Sequence, residues 1–129
     1  MPDAHILVVD DDPAQLAILA RVLAHARPEW SITAGQADAA WLAALAADPR
    51  TVCVGVDLVL LDHRLGSVSA LDLLPAFAER AVPVVVMTGS LGSVDSAACC
   101  AAGAVAVVAK PYGLAEAAQV LDVCDQAIN

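Results

Sequence analysis

The sequence predicts an α/β fold, a five-stranded parallel sheet with helices on both faces, doubly wound in a (βα)5 pattern. Two observations predict it. Five short Val-, Leu- and Ile-rich runs recur along the chain without polar alternation, as strands buried on both faces do. Ala- and Leu-rich stretches of helical length separate them, and a chain that alternates strand and helix in this way closes into a parallel sheet.

The first run is "HILVVD", residues 5–10. Asp12 can cap the helix behind it, with Pro13 at the first helical position and Leu16, Leu19, Val22 and Leu23 as its apolar stripe. The second run, "WSIT" (30–33), is followed by "ADAAWLAALAA" (37–47). Residues 48–56, "DPRTVCVGV", read either as a longer loop or as an early extension of the third strand. That strand is "DLVLLD" (57–62), and its helix is "SALDLLPAFAER" (69–80), in which Pro75 would remove a backbone hydrogen bond. The fourth run is "PVVVMT" (83–88); "SVDSAACCAAG" (93–103) follows, with Ser93 as its expected cap and Gly103 as its stop. "AVAVVA" (104–109) precedes "LAEAAQVLDVCDQAI" (114–128), where Glu116 in the first turn suits the helix dipole.

With 129 residues the chain is expected to form a single domain over 1–129 that buries roughly two-thirds of its unfolded surface. A composition that is 60% hydrophobic and 16% charged excludes intrinsic disorder. The net charge is −9 and no run of Lys or Arg occurs, which argues against direct binding to nucleic acid or an anionic membrane. An acidic surface suits a divalent cation or a basic protein partner, and it also simply confers solubility. "MPDAHILVVDDD" does not fit a signal peptide, and no apolar run is long enough for a bilayer. Cys53, Cys99, Cys100 and Cys124 form no CxxC pair, and with His5, His25 and His63 scattered no zinc spacing arises. These cysteines read as small buried apolar residues of a cytoplasmic protein, with a redox role for Cys99–Cys100 as the alternative.

Parallel α/β sheets carry their sites beyond the carboxyl ends of their strands. There the first run delivers Asp10 and Asp11, the third Asp62, the fourth Thr88 and the fifth Lys110, followed by Pro111. Two carboxylates about 4 Å apart repel by about 4 kcal/mol at an effective dielectric near 20, so a cation is expected among them. Lys110 is the only lysine in the chain. Its ammonium can reach a carboxylate or a phosphoryl oxygen as a point charge, and two or three carboxylates can hold Mg²⁺. Asp62 can then act as a nucleophile towards phosphorus, with the metal, Thr88 and Lys110 offsetting charge on the equatorial oxygens. Taken singly, each residue has an ordinary alternative: a turn or cap for Asp10 and Asp11, a β-former for Thr88, a solvated surface lysine for Lys110. Asp12 reads as a cap, His63 as a bystander, and Tyr112 as packing at the start of the last helix.

"ILVVDDDP", "DLVLLD", "VVVMTG" and "VVAKPY", in this order and each at a strand end, resemble the receiver domain of two-component response regulators along essentially the whole chain. The resemblance implies a flavodoxin-like doubly wound sheet. It implies that Asp62 accepts a phosphoryl group from a phosphohistidine on a sensor histidine kinase or a histidine phosphotransfer protein, as in a phosphorelay. It also implies a Mg²⁺ (or Mn²⁺) site formed by Asp11, Asp62 and the backbone carbonyl of Arg64, with Asp10 acting through water. Thr88 and Lys110 match the hydroxyl and ammonium that bind the phosphoryl oxygens. The output would be contact with a downstream protein, onward phosphotransfer or a further domain, and a homodimer through the last two helices is compatible with the family.

Three positions depart from the family pattern. Val107 stands where an aromatic switch residue is usual, Gly66 replaces the common proline four residues after the acceptor, and Ala70 replaces the usual glycine opening the third helix. "DHRLG" is closer to receivers of hybrid histidine kinases than to the stand-alone chemotaxis type. Beside the acceptor, the Arg64 side chain either leans over the phosphoryl group and hinders attacking water or is simply solvated. Two rival readings stand beside the receiver. One is a haloacid-dehalogenase-like phosphatase using Asp10 and Asp12, which leaves Asp62 without a role and lacks an acidic strand pair after Lys110. The other is a pseudo-receiver that binds partners without being phosphorylated.

Overall fold

A computed structural model describes residues 3–90, 92 and 96–129. Its main sheet contains β1 (His5–Asp10), β2 (Ser31–Gln36), β3 (Leu58–Asp62), β6 (Val84–Thr88) and β7 (Ala104–Ala109). All four pairings are parallel, in the order β2-β1-β3-β6-β7. The five-stranded parallel sheet with helices on both faces is therefore as the sequence predicts. Helices α1 (Pro13–Ala26), α2 (Ala39–Ala47), α3 (Ala70–Ala78), α4 (Ser96–Ala101) and α5 (Leu114–Ile128) follow the five strands in turn.

Strand periodicity divides the core. Ile6 and Val8 of β1, Leu58 and Leu60 of β3, and Val85 and Met87 of β6 face Leu19 and Leu23 of α1 and Val120 and Leu121 of α5. Their neighbours Leu7, Val9, Val59, Leu61, Val84 and Val86 face Leu45, Leu74 and Phe77 on the other side. Successive side chains in a strand point to opposite faces, so continuous apolar runs fill two cores at once.

Several local expectations change. β2 begins at Ser31 and runs to Gln36, because Ala34, Gly35 and Gln36 continue the pairing with β1 up to Asp10. It is an edge strand, so its residues need not be apolar. Trp30 instead turns into the core, and the Arg27 guanidinium lies 4.2 Å from the centre of its ring. Residues 48–56 do not extend β3. They form a 3-10 turn at Pro49–Thr51 and a second turn closed by Val56 N–H donating to the Cys53 carbonyl. His5 pins this loop, with Nδ1 3.0 Å from the Gly55 carbonyl oxygen and its backbone N–H donating to Asp57.

α3 is shorter than 69–80. Ser69 is its cap, and the Asp72 carboxylate accepts from the Ser69 N–H at 3.1 Å. Pro75 does lie inside the helix, where it cannot donate to the carbonyl one turn back, and the helix stops at Ala78. Asp12 caps α1 as expected, accepting from the N–H groups of Ala14 and Gln15. Gly103 ends α4 with φ +120, and the expected cap Ser93 lies outside the described residues. Cys53, Cys99 and Cys124 are buried, and burial pushes the thiols of Cys53 and Cys124 up, the latter to about 12. Cys100 is exposed, which corrects the expectation that all four are interior.

The sequence reading missed one element. β4 (Arg64–Leu65) and β5 (Val68–Ser69) form a small antiparallel hairpin directly after β3. Gly66 takes φ +68 at its tip. Proline is locked near φ −65, so the family's usual proline could not occupy this turn. Glycine at this position matches the local backbone.

Candidate functional site

In this strand order the chain leaves β1 for one edge of the sheet and returns through β3 on the other side of β1. The crevice above such a switch point is where doubly wound folds bind their ligands. β1 ends in Asp10 there and β3 in Asp62, while Thr88 ends β6 and Lys110 follows β7. A cavity of about 520 Å³ opens between them, and its walls include all four residues together with Asp11, Gln15, His63 and Arg64.

Asp10, Asp62 and Thr88 are the buried polar residues of the described chain, at 1%, 5% and 3% exposure. Burying a polar group is costly, so three of them in so apolar a protein make the cleft the candidate functional region. Carboxylate oxygens of Asp10, Asp11 and Asp62 lie within 4.8 Å of one another. Hard oxygen donors at this spacing fit a small divalent cation such as Mg²⁺ better than a soft metal. Lys110 Nζ lies 3.2 Å from Asp10 Oδ2 and 3.2 Å from Asp62 Oδ2. The only lysine in the chain therefore stands between the buried carboxylates.

The two carboxylates are held differently. Burial pushes Asp62 up from 3.8 to about 6; repulsion from Asp10 adds to this, and the Lys110 ammonium offsets part of it. Burial also opposes ionisation of Asp10. The Asp12 N–H, 3.1 Å from Asp10 Oδ1, and the Lys110 ammonium outweigh it, and Asp10 titrates below the ordinary value. Burial disfavours the ammonium of Lys110, but Asp62 and Asp10 together raise it. Asp10 is thus a fixed anion, while Asp62 is the carboxylate whose charge is least compensated.

The Thr88 hydroxyl donates to the Ser90 carbonyl at 3.1 Å and accepts from the Ser90 N–H at 3.1 Å, so it is turned along its own loop. Arg64 is exposed at the cleft rim on the hairpin, and Val107 packs into the core beside Val86. A methyl group at Gly66 would stand 3.9 Å from Asp11 Oδ2, so the hairpin tip lies beside the acidic cluster.

The structure brings the six residues of the expected site together around one cavity: Asp10, Asp11, Asp62, Thr88, Lys110 and Arg64. Sequence reasoning missed Gln15, whose Oε1 accepts from Lys110 Nζ at 2.7 Å. It stands in the first turn of the helix capped by Asp12, a position that carries no sequence signal of its own.

A doubly wound domain with an acidic cleft and one lysine at its switch point defines the receiver class. The description "Response regulator receiver domain" matches residues 6–122, and the chain belongs to that family. No curated protein sequence matches the chain significantly. Among solved structures, FixJ-N is 23% identical with a TM-score of 0.74, covering 99% of this chain and 95% of that one. The signal receiver domain of a DNA-binding response regulator (merR) from Colwellia psychrerythraea 34H is 21% identical, with a TM-score of 0.73 and coverage of 96% and 99%. A receiver domain from Rhodospirillum rubrum is 24% identical, with a TM-score of 0.72 and coverage of 98% and 96%. Among the described residues no helix is long and apolar enough to cross a membrane.

Proposed function

We propose that residues 1–129 form a single receiver domain that works as a phosphorylation-dependent switch, with Asp62 as phosphoacceptor. The donor is a phosphohistidine of a sensor histidine kinase or a histidine phosphotransfer protein, in the cytoplasm. The output is contact with a downstream protein rather than with nucleic acid or membrane. The observation that carries this reading is the contact of one buried, under-compensated carboxylate with the chain's only lysine, 3.2 Å away.

In the proposed step an Asp62 oxygen attacks phosphorus and the P–N bond of phosphohistidine breaks. Its electron pair goes to the imidazole, which leaves after taking a proton from solvent. Lys110 gives up its bond to Asp62 and binds a phosphoryl oxygen, and Asp10 keeps the ammonium over the cleft. Thr88 releases Ser90 to donate its hydroxyl to a second oxygen. Asp11, Asp62 and the Arg64 backbone carbonyl would hold Mg²⁺, with Asp10 acting through water. When bound, the ion supplies positive charge at the developing phosphoryl oxygens.

Incubation with acetyl phosphate and Mg²⁺, followed by mapping of the phosphoryl group, tests the proposal. Label on Asp62 supports it. Turnover through Asp10 would instead indicate a phosphatase, and an unlabelled protein a pseudo-receiver.

Arg64 sits exposed at the rim of the same cleft, where its guanidinium can lie over a phosphoryl group and obstruct water. Arg64→Asn should shorten the lifetime of the phosphorylated state roughly fivefold, as expected for loss of about 1 kcal/mol of interaction. An unchanged rate of dephosphorylation after removal of donor would mean that the side chain is merely solvated.

A further inference from the structure

Lys110 Nζ donates hydrogen bonds to Asp10 Oδ2 at 3.2 Å and to Gln15 Oε1 at 2.7 Å, and lies 3.2 Å from Asp62 Oδ2 in an ion pair. Gln15 makes the shortest of these contacts, and it is the only neutral partner. Its own backbone is fixed, because the Gln15 N–H donates to the Asp12 cap at 3.3 Å. A chain of contacts thus runs from the helix cap through Gln15 to the ammonium.

From this we infer that Gln15 is a positioning residue, holding the Lys110 ammonium over the cleft while the carboxylates beneath it change partners. The inference rests on the reading of Asp62 as acceptor. In that reaction Asp62 loses its free carboxylate and therefore its hold on Lys110. An amide oxygen undergoes no such change. It also anchors the ammonium without adding negative charge, which a carboxylate at position 15 would set against the incoming phosphoryl group. The lysine side chain is only 9% exposed, so an N–H left without Gln15 would have little water to replace it.

Two variants separate the parts of this role. Gln15→Met keeps the length and removes the acceptor; Gln15→Glu keeps an acceptor and adds charge. With acetyl phosphate and saturating Mg²⁺, Gln15→Met should lower the maximal rate of Asp62 labelling roughly fivefold to tenfold, the size expected for a lost charge-assisted hydrogen bond. Its Mg²⁺ affinity should stay at the wild-type value, and its melting temperature should fall by only a few degrees, too little to account for the loss of rate. Gln15→Glu should act mainly by raising the acetyl phosphate concentration needed for half-maximal rate.

Because the chain has one lysine, ¹⁵N-lysine labelling reports this ammonium alone. Its NH₃⁺ signal should be observable in the wild type and lost to fast exchange in Gln15→Met. An unchanged lysine signal overturns the inference, as does a maximal rate that is unchanged or falls only in step with melting temperature. If the wild type takes no label on Asp62 while the lysine signal still depends on Gln15, the acceptor reading fails and the anchoring contact stands.

Discussion

Asp62→Asn is expected to abolish phosphoryl uptake and, at neutral pH, to melt at a higher temperature than the wild type. The first effect follows from replacing the proposed nucleophile with an amide. The second follows from burial. The folded protein holds Asp62 near 6, against 3.8 for an ordinary aspartate, so between these values the folded state binds more protons than the unfolded one. Stability contributed at this position is therefore greatest near pH 4 and falls as pH rises through 6. A shift of about two units corresponds to roughly 3 kcal/mol at most, at about 1.4 kcal/mol per unit. Lys110 loses one of its two buried counter-charges in the variant, which offsets part of the gain. A net gain of about 1 to 2 kcal/mol remains, on the order of 5 °C for a chain of this size. Thermal melts without divalent cations at a series of pH values check this. The variant's advantage should grow from near zero around pH 4 to a plateau above pH 7. A less stable variant at pH 7, or a difference that ignores pH, would sink the account. Saturating Mg²⁺ should narrow the gap, because a ligand that binds only the folded wild type stabilises it by mass action.

The same physics explains what the sequence made legible. β1, β3 and β6 carry continuous apolar runs because both faces of a central strand are covered, and each run stops at a polar residue that could only be a strand end. Asp10, Asp62, Thr88 and Lys110 could therefore be brought to one edge by counting strands. β2 was harder, since an edge strand paired only with β1 can use Thr33, Gly35 and Gln36 without leaving an apolar trace. The hairpin at Arg64–Ser69 has two-residue strands, too short for any periodicity, and only the positive φ of Gly66 marks it. Gln15 was illegible for a different reason. Its role lies in a side-chain contact across 95 positions to Lys110, and a glutamine in a first helical turn has no pattern that distinguishes it from a solvated one.

Replacing that lysine should have the largest effect on folding and a large one on chemistry. Lys110→Met keeps the bulk of the stem but leaves Asp10 and Asp62, at 1% and 5% exposure, without the ammonium that bridges them. Removing one partner of a buried ion pair costs about 3 to 5 kcal/mol, because the remaining charge stays desolvated. Here Asp62 provides a partial escape, since it is already near 6 and can take up a proton instead. Loss of the ammonium raises its affinity for that proton further. The variant should thus be only mildly destabilised near pH 5 and lose on the order of 3 kcal/mol by pH 8, a steeper decline than the wild type shows. Denaturant titrations at the two pH values measure the difference. Asp62→Asn added to Lys110→Met should recover most of the loss at pH 8, because the second uncompensated charge is gone. Simple additivity of the two changes would contradict an energetic coupling between residues 3.2 Å apart. Labelling from acetyl phosphate should fall by about a hundredfold in Lys110→Met even where the protein is fully folded, since one fixed charge at the phosphoryl oxygens is worth roughly 3 kcal/mol in such a site.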